Sequence, residues 1–117
     1  MLKTAIIAGA VAAIGFPLIA TATPANADPK HNVILGTSGD DNLVGTKKSD
    51  FIFGFHGNDT LTGNEKGDAL LGGFGDDTLY AAGKHSGTDV ARGGAGTDTC
   101  YVDATDKTLS CEIIIVQ

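Results

Sequence analysis

From Gly36 onward the chain carries an apolar side chain at the eighth place of every block of nine residues: Leu43, Ile52, Leu61, Leu70, Leu79, Ala91 and Cys100. The blocks read GTSGDDNLV, GTKKSDFIF, GFHGNDTLT, GNEKGDALL and GGFGDDTLY, then KHSGTDVAR and GGAGTDTCY, with Ala81-Ala82-Gly83 inserted between the fifth and the sixth. A fixed period of this kind marks a stack of identical structural units. In each unit six residues rich in Gly and Asp predict a tight turn, because Gly accepts positive φ and close backbone approach. The last three predict a short strand whose middle residue points inward and whose neighbours point outward. Two units complete one coil. Odd and even units then stack on opposite faces, and the predicted fold is all-β, a parallel β-roll built as a two-sheet solenoid of nonapeptides.

The array runs over 36–101. Val33-Ile34-Leu35 falls where a preceding strand belongs. Thr108-Leu109-Ser110 falls where an eighth belongs, with Leu109 expected inward, and Glu112 to Val116 reads as a closing strand. Residues 28–35 and 102–117 are therefore expected to be caps, which cover the open ends of a solenoid. Residues 1–27 have a different character. Lys3 precedes an apolar stretch from Ala5 to Ala20, and Ala25-Asn26-Ala27 supplies a small-x-small cleavage signal. This is the pattern of a secretory signal peptide cut before Asp28. Pro17 and the polar run from Thr21 make the apolar part short for a membrane span.

Acid dominates the remainder. All fourteen acidic residues follow Ala27 against seven basic ones, a formal charge of −7 over 28–117. No Lys/Arg cluster is present, so the composition argues against a nucleic-acid partner. The sixth place of every unit is Asp: Asp41, Asp50, Asp59, Asp68, Asp77, Asp89 and Asp98. A carboxylate at each turn, beside flexible Gly-rich backbone, suits a hard divalent cation that takes six to eight oxygens.

The units resemble the RTX calcium-binding nonapeptide family, G-G-x-G-x-D-x-U-x. GGFGDDTLY from Gly72 and GGAGTDTCY from Gly93 match every fixed place, counting Cys100 as the apolar one. The resemblance implies Ca²⁺ between turns two units apart, held by an Asp carboxylate from each turn and by backbone carbonyls of the Gly-rich segments. The leader pattern predicts a protein secreted to the cell exterior, and seven inward side chains are too few to offset the ordering of the array, so the calcium-free chain is expected to be largely unfolded.

The two edges of the roll differ. The odd units keep Gly at places one and four: Gly36 and Gly39, Gly54 and Gly57, Gly72 and Gly75, Gly93 and Gly96. With Asp41, Asp59, Asp77 and Asp98 they form the expected calcium edge, on which four stacked turns enclose about three ions. The even edge, carrying Asp50, Asp68 and Asp89, departs from the pattern. Lys48 and Lys66 stand at place four, and the third even unit opens with Lys84. A Lys in a Gly-type conformation costs on the order of 1 kcal/mol. Its ammonium is expected beside Asp50 or Asp68 in place of a cation; the alternative is that both lysines face solvent and calcium still binds.

Export places Cys100 and Cys111 in an oxidising compartment, where a pair is expected to bridge. Outward places on the even sheet are Val33/Leu35, Phe51/Phe53, Ala69/Leu71 and Val90/Arg92, almost wholly apolar. Such a patch marks an interface to a protein partner or a second copy, unless Glu112–Val116 folds over it, the reading the sequence slightly favours. His56 and His85 lie in turns at different repeat positions and are read as solvated loop residues, and His31, in the N-terminal lead, carries no signal. No Ser elbow, zinc helix or separate carboxylate pair suggests an enzyme. The long membrane-active region of RTX cytolysins is missing, and place two is too irregular for an ice-binding array. The expected function is calcium binding, with cell-surface adhesion as the alternative and a role as toxin or enzyme accessory third.

Overall fold

The computed structural model describes residues 18–21, 30–83 and 87–117. Among them there is no helix. The strands are β1 (Leu18–Thr21), β2 (His31–Leu35), β3 (Asp41–Val44), β4 (Ser49–His56), β5 (Thr60–Thr62), β6 (Ala69–Phe74), β7 (Thr78–Tyr80), β8 (Val90–Ala95), β9 (Thr99–Val102), β10 (Lys107–Leu109) and β11 (Ile113–Val116). They form two parallel sheets, β1-β3-β5-β7-β9-β11 and β10-β8-β6-β4-β2. The chain alternates between the sheets at every step, which makes it a β-solenoid of about five turns.

Register follows the nonapeptide. Asn42 pairs with Thr60 and Phe51 with Ala69, each one coil of eighteen residues away. Across the Ala81–Gly83 insert the partners are Thr78 and Thr99, still in phase. The insert is absorbed at a corner: Ala81 is buried, and the Ala81 and Ala82 amides both donate to the Tyr101 carbonyl. The eighth-place side chains form the core. Leu43, Ile52, Leu61, Leu70, Leu79, Ala91 and Cys100 are all fully buried, joined by Ile34 from β2 and Val102 at the end of β9. One thin column of side chains is all that separates the sheets, so hydrophobic burial per residue is small.

Strands flank the array at both ends, with two corrections to the expected arrangement. β10 pairs as Thr108↔Ala91 and Leu109↔Arg92, so Thr108 takes the inward place and Leu109 faces out, 55% exposed. A one-residue slip exchanges the faces of a strand, and the phase here follows Asp106, which stands two residues before Thr108 as each repeat Asp stands two before its inward side chain. β11 does not fold over the even face. It pairs in parallel with β9 and extends the odd sheet, leaving the even face open. Cys100 and Cys111 form a disulfide that ties β9 to the loop leading into β11.

β1 lies inside the segment expected to be a leader and pairs with β3, Leu18 opposite Asp41. The expected cleavage site at Ala25–Ala27, together with Lys84 and His85, lies outside the described residues. No helix among the described residues is long and apolar enough to cross a membrane.

Candidate metal centre

Each turn ends where its Asp enters a strand. There the backbone amide points along the stack, beyond the reach of the strand ladder, and would be buried without a partner. The next coil supplies one. On the odd edge the Asp41 amide donates to Asp59 Oδ1, Asp59 to Asp77 and Asp77 to Asp98, each at 2.8 Å. On the even edge Asp50 donates to Asp68 at 2.8 Å and Asp68 to Asp89 at 2.7 Å. The two Asp columns are therefore stitched by the same bond, and all seven carboxylates are buried.

The stitch uses one oxygen of each carboxylate. The second, Oδ2, is buried without a hydrogen-bond partner in Asp59, Asp68, Asp77 and Asp98. Native proteins rarely leave such atoms unpaired, and an unpaired one points to an ion or a strained site. Each Oδ2 lies over the Gly that opens its own unit. A Cβ at Gly54 would strike Asp59 Oδ2 and stand 2.6 Å from the Gly72 carbonyl oxygen; at Gly72 it would strike Asp77 Oδ2 and stand 2.8 Å from the Gly93 carbonyl. Glycine at place one thus leaves a cradle where a carboxylate oxygen and a carbonyl from the next coil converge. That donor set fits Ca²⁺. Among the described residues no three acidic, His or Cys side chains meet at one point.

Burial without compensating charge moves these acids upward. Asp59 is raised to about 7, Asp68 to about 8 and Asp77 to about 6, and Asp98 is raised as well. Loss of water is the main cause in every case, and neighbouring acids of the same column add to it.

The lysines on the even edge do only part of what their position predicts. Lys66 adopts φ 75°, a conformation otherwise held at place four by Gly57, Gly75, Gly87 and Gly96, whereas Lys48 does not. Both are exposed, and among the described residues neither forms an ion pair with Asp50 or Asp68. Asp68 keeps a partnerless Oδ2 beside an unshielded column.

Several residues of the columns have no place in the nonapeptide. Asp106 accepts the Asp89 amide and Glu112 accepts the Asp98 amide, each at 2.9 Å, so both columns continue into the C-terminal cap. Asn32 heads the even column, its Nδ2 donating to Asp50 Oδ1 at 2.9 Å. These three lie seventeen, fourteen and eighteen residues from their partners, and only Asn32 keeps the coil spacing. Thr37 and Thr46, at place two of the first two units, also reach their own Asp.

A family model described as the RTX calcium-binding nonapeptide repeat matches residues 35–65, 62–83 and 85–106. The chain belongs to that family. A search of curated proteins finds no match to the chain, and a search of solved structures finds none either. Membership indicates calcium binding in a β-roll, the fold seen here, and the RTX solenoid is a structural calcium-binding scaffold, typically without catalytic function.

Proposed function

We propose that this RTX chain is a secreted calcium-binding protein in which the ions complete the fold. The observation that carries this is the buried, partnerless Oδ2 in each of Asp59, Asp68, Asp77 and Asp98. Asp59, Asp77 and Asp98, with the carbonyls of the Gly-rich segments between them, hold the ions of the odd edge. Asp68 and Asp89 offer a poorer even edge, because Lys66 bears the conformational cost at place four and brings a positive charge to that turn. A bound cation replaces lost hydration and neutralises stacked carboxylates. Since it binds only the folded chain, its binding free energy adds to folding. Calcium outside the cell would thus fold the chain after export, and signal cleavage would remove β1 and leave β3 at the edge of the odd sheet. Equilibrium dialysis of residues 28–117 against labelled calcium tests this. Saturable uptake is expected, and no uptake would overturn the calcium reading.

A second reading, adhesion or self-association through the even face, rests on one observation. Val33 and Phe51 are 44% and 43% exposed and lie side by side in register, with Leu35 and Phe53 beside them. With β11 in the other sheet, nothing among the described residues covers this row. Sedimentation of the calcium-loaded protein is expected to show a dimer that Phe51→Ser with Phe53→Ser converts to monomer. A monomeric parent protein rules out self-association.

A further inference from the structure

The six turns whose second place is described fall into two kinds, and the division runs between coils and not between edges. In units three, four, five and seven the residue at place two has positive φ: Phe55 81°, Asn64 82°, Gly73 115° and Gly94 118°. In units three, five and seven the Gly-rich segment then continues the strand. Phe55 pairs with Gly73, Gly73 with Gly94, and the Gly94 amide donates to the Ser110 carbonyl. These three amides face the neighbouring coil, and in all four units the Oδ2 of the unit's own Asp is left without a partner.

Units one and two differ. Neither Thr37 nor Thr46 at place two, nor Gly39 nor Lys48 at place four, has positive φ. A β-branched residue strongly resists that region. The Thr37 amide therefore turns inward and donates to Asp41 Oδ2 at 2.5 Å, while Thr37 Oγ1 lies 3.1 Å from both carboxylate oxygens. Thr46 repeats this on Asp50, at 2.5 Å from its amide and 3.1 and 3.2 Å from its hydroxyl. Each hydroxyl also accepts the amide two residues on, from Gly39 and from Lys48, closing the turn on itself. Asp41 and Asp50 are as buried as the others, yet neither has a partnerless oxygen.

We propose that the first coil, Gly36 to Phe53, is a cation-free cap in which the amide and hydroxyl of Thr37 and Thr46 take the place that calcium takes in the later coils. The proposal rests on the calcium reading above. A neutral donor pair satisfies Asp41 and Asp50 with no ion, so the first coil needs no cation of its own and presents a finished edge to the second. Calcium is confined to the gaps beyond it. On the odd edge that leaves two gaps, Asp59 to Asp77 and Asp77 to Asp98, and not the three that four stacked turns enclose.

Calcium stoichiometry by titration calorimetry on residues 28–117 decides the matter. Asp41→Asn with Asp50→Asn is expected to leave the ion count unchanged, whereas Asp77→Asn is expected to lose at least one ion. A count that falls by one or more in the first variant overturns the cap. Should that variant fail to fold in saturating calcium, Thr37→Gly with Thr46→Gly decides instead. It keeps both carboxylates and frees place two for positive φ, so the count is expected to rise by at least one, and an unchanged count overturns the proposal. An unaltered protein that takes up no calcium would instead defeat the calcium reading itself.

Discussion

In calcium-free buffer at pH 8, residues 28–117 are expected to lose most of their strand signal in far-UV circular dichroism and to regain it with calcium at roughly 1 mM, the upper end for extracellular modules. The reason is the imbalance between a thin core and costly columns. Each nine-residue unit buries one apolar side chain, and in two units this is only Ala91 or the disulfide-bonded Cys100. Against that, the Oδ2 atoms of Asp59, Asp68, Asp77 and Asp98 are buried without partners. A buried acceptor left unsatisfied costs about 1–3 kcal/mol, and more when charged. Four of them approach the 5–15 kcal/mol by which a whole domain is ordinarily stable. Without cations the columns also stack like charges one coil apart. The strand hydrogen bonds and the Cys100–Cys111 bridge persist in any folded form, so they offset neither effect selectively. A spectrum in chelator equal to that in calcium would show that the coils stand without ions, and the folding role would fail.

Much of this architecture is legible in the sequence because the repeat fixes three things at once. Apolar residues at place eight set the core, Asp at place six marks each corner, and the spacing of eighteen sets which residues pair. Thr78 still meets Thr99 despite the three-residue insert, since a corner can hold extra residues without moving either strand. The reading weakens where the period stops. Apolar character alone points to Leu109 as the inward residue of an eighth strand, but pairing with β8 puts Thr108 inside. Ile113 to Val116 is apolar throughout and has no alternation to say which sheet it joins. The columns were harder still. Sequence shows an acid in every turn but not that its Oδ1 receives the amide of the preceding coil, a bond set by the direction of a backbone group. Thr at place two is visible at once in units one and two. Its consequence appears only with the backbone dihedrals, which separate a turn closed by its own hydroxyl from one that leaves a carboxylate oxygen open.

Acidifying the calcium-free chain from pH 8 to about pH 5 is expected to restore structure, the reverse of ordinary acid unfolding. Asp59, Asp68 and Asp77 are raised to about 7, 8 and 6 from 3.8, and Asp98 is raised too, by burial first and then by neighbouring acids. The groups facing them are all acidic: Asp40, Asp41 and Asp77 around Asp59; Asp50 and Asp89 around Asp68; Asp40, Asp76 and Asp98 around Asp77; Asp76 and Glu112 around Asp98. Between pH 4 and these higher values the folded chain holds protons that the unfolded chain has released. Folding is then favoured by acid, and the benefit is lost as pH rises through about 6 to 8. A proton and a calcium ion satisfy the same oxygens, so calcium uptake by the protonated folded chain should release protons, and the calcium concentration needed for half-folding should rise as pH rises from 6 to 8 and the protonated fold is lost. Circular dichroism of metal-free protein across pH 4–8, with calcium titrations at pH 6 and pH 8, measures both slopes. Loss of strand signal between pH 7 and pH 5 without calcium, or a half-folding concentration indifferent to pH, would mean that the columns are satisfied by something other than protons and ions.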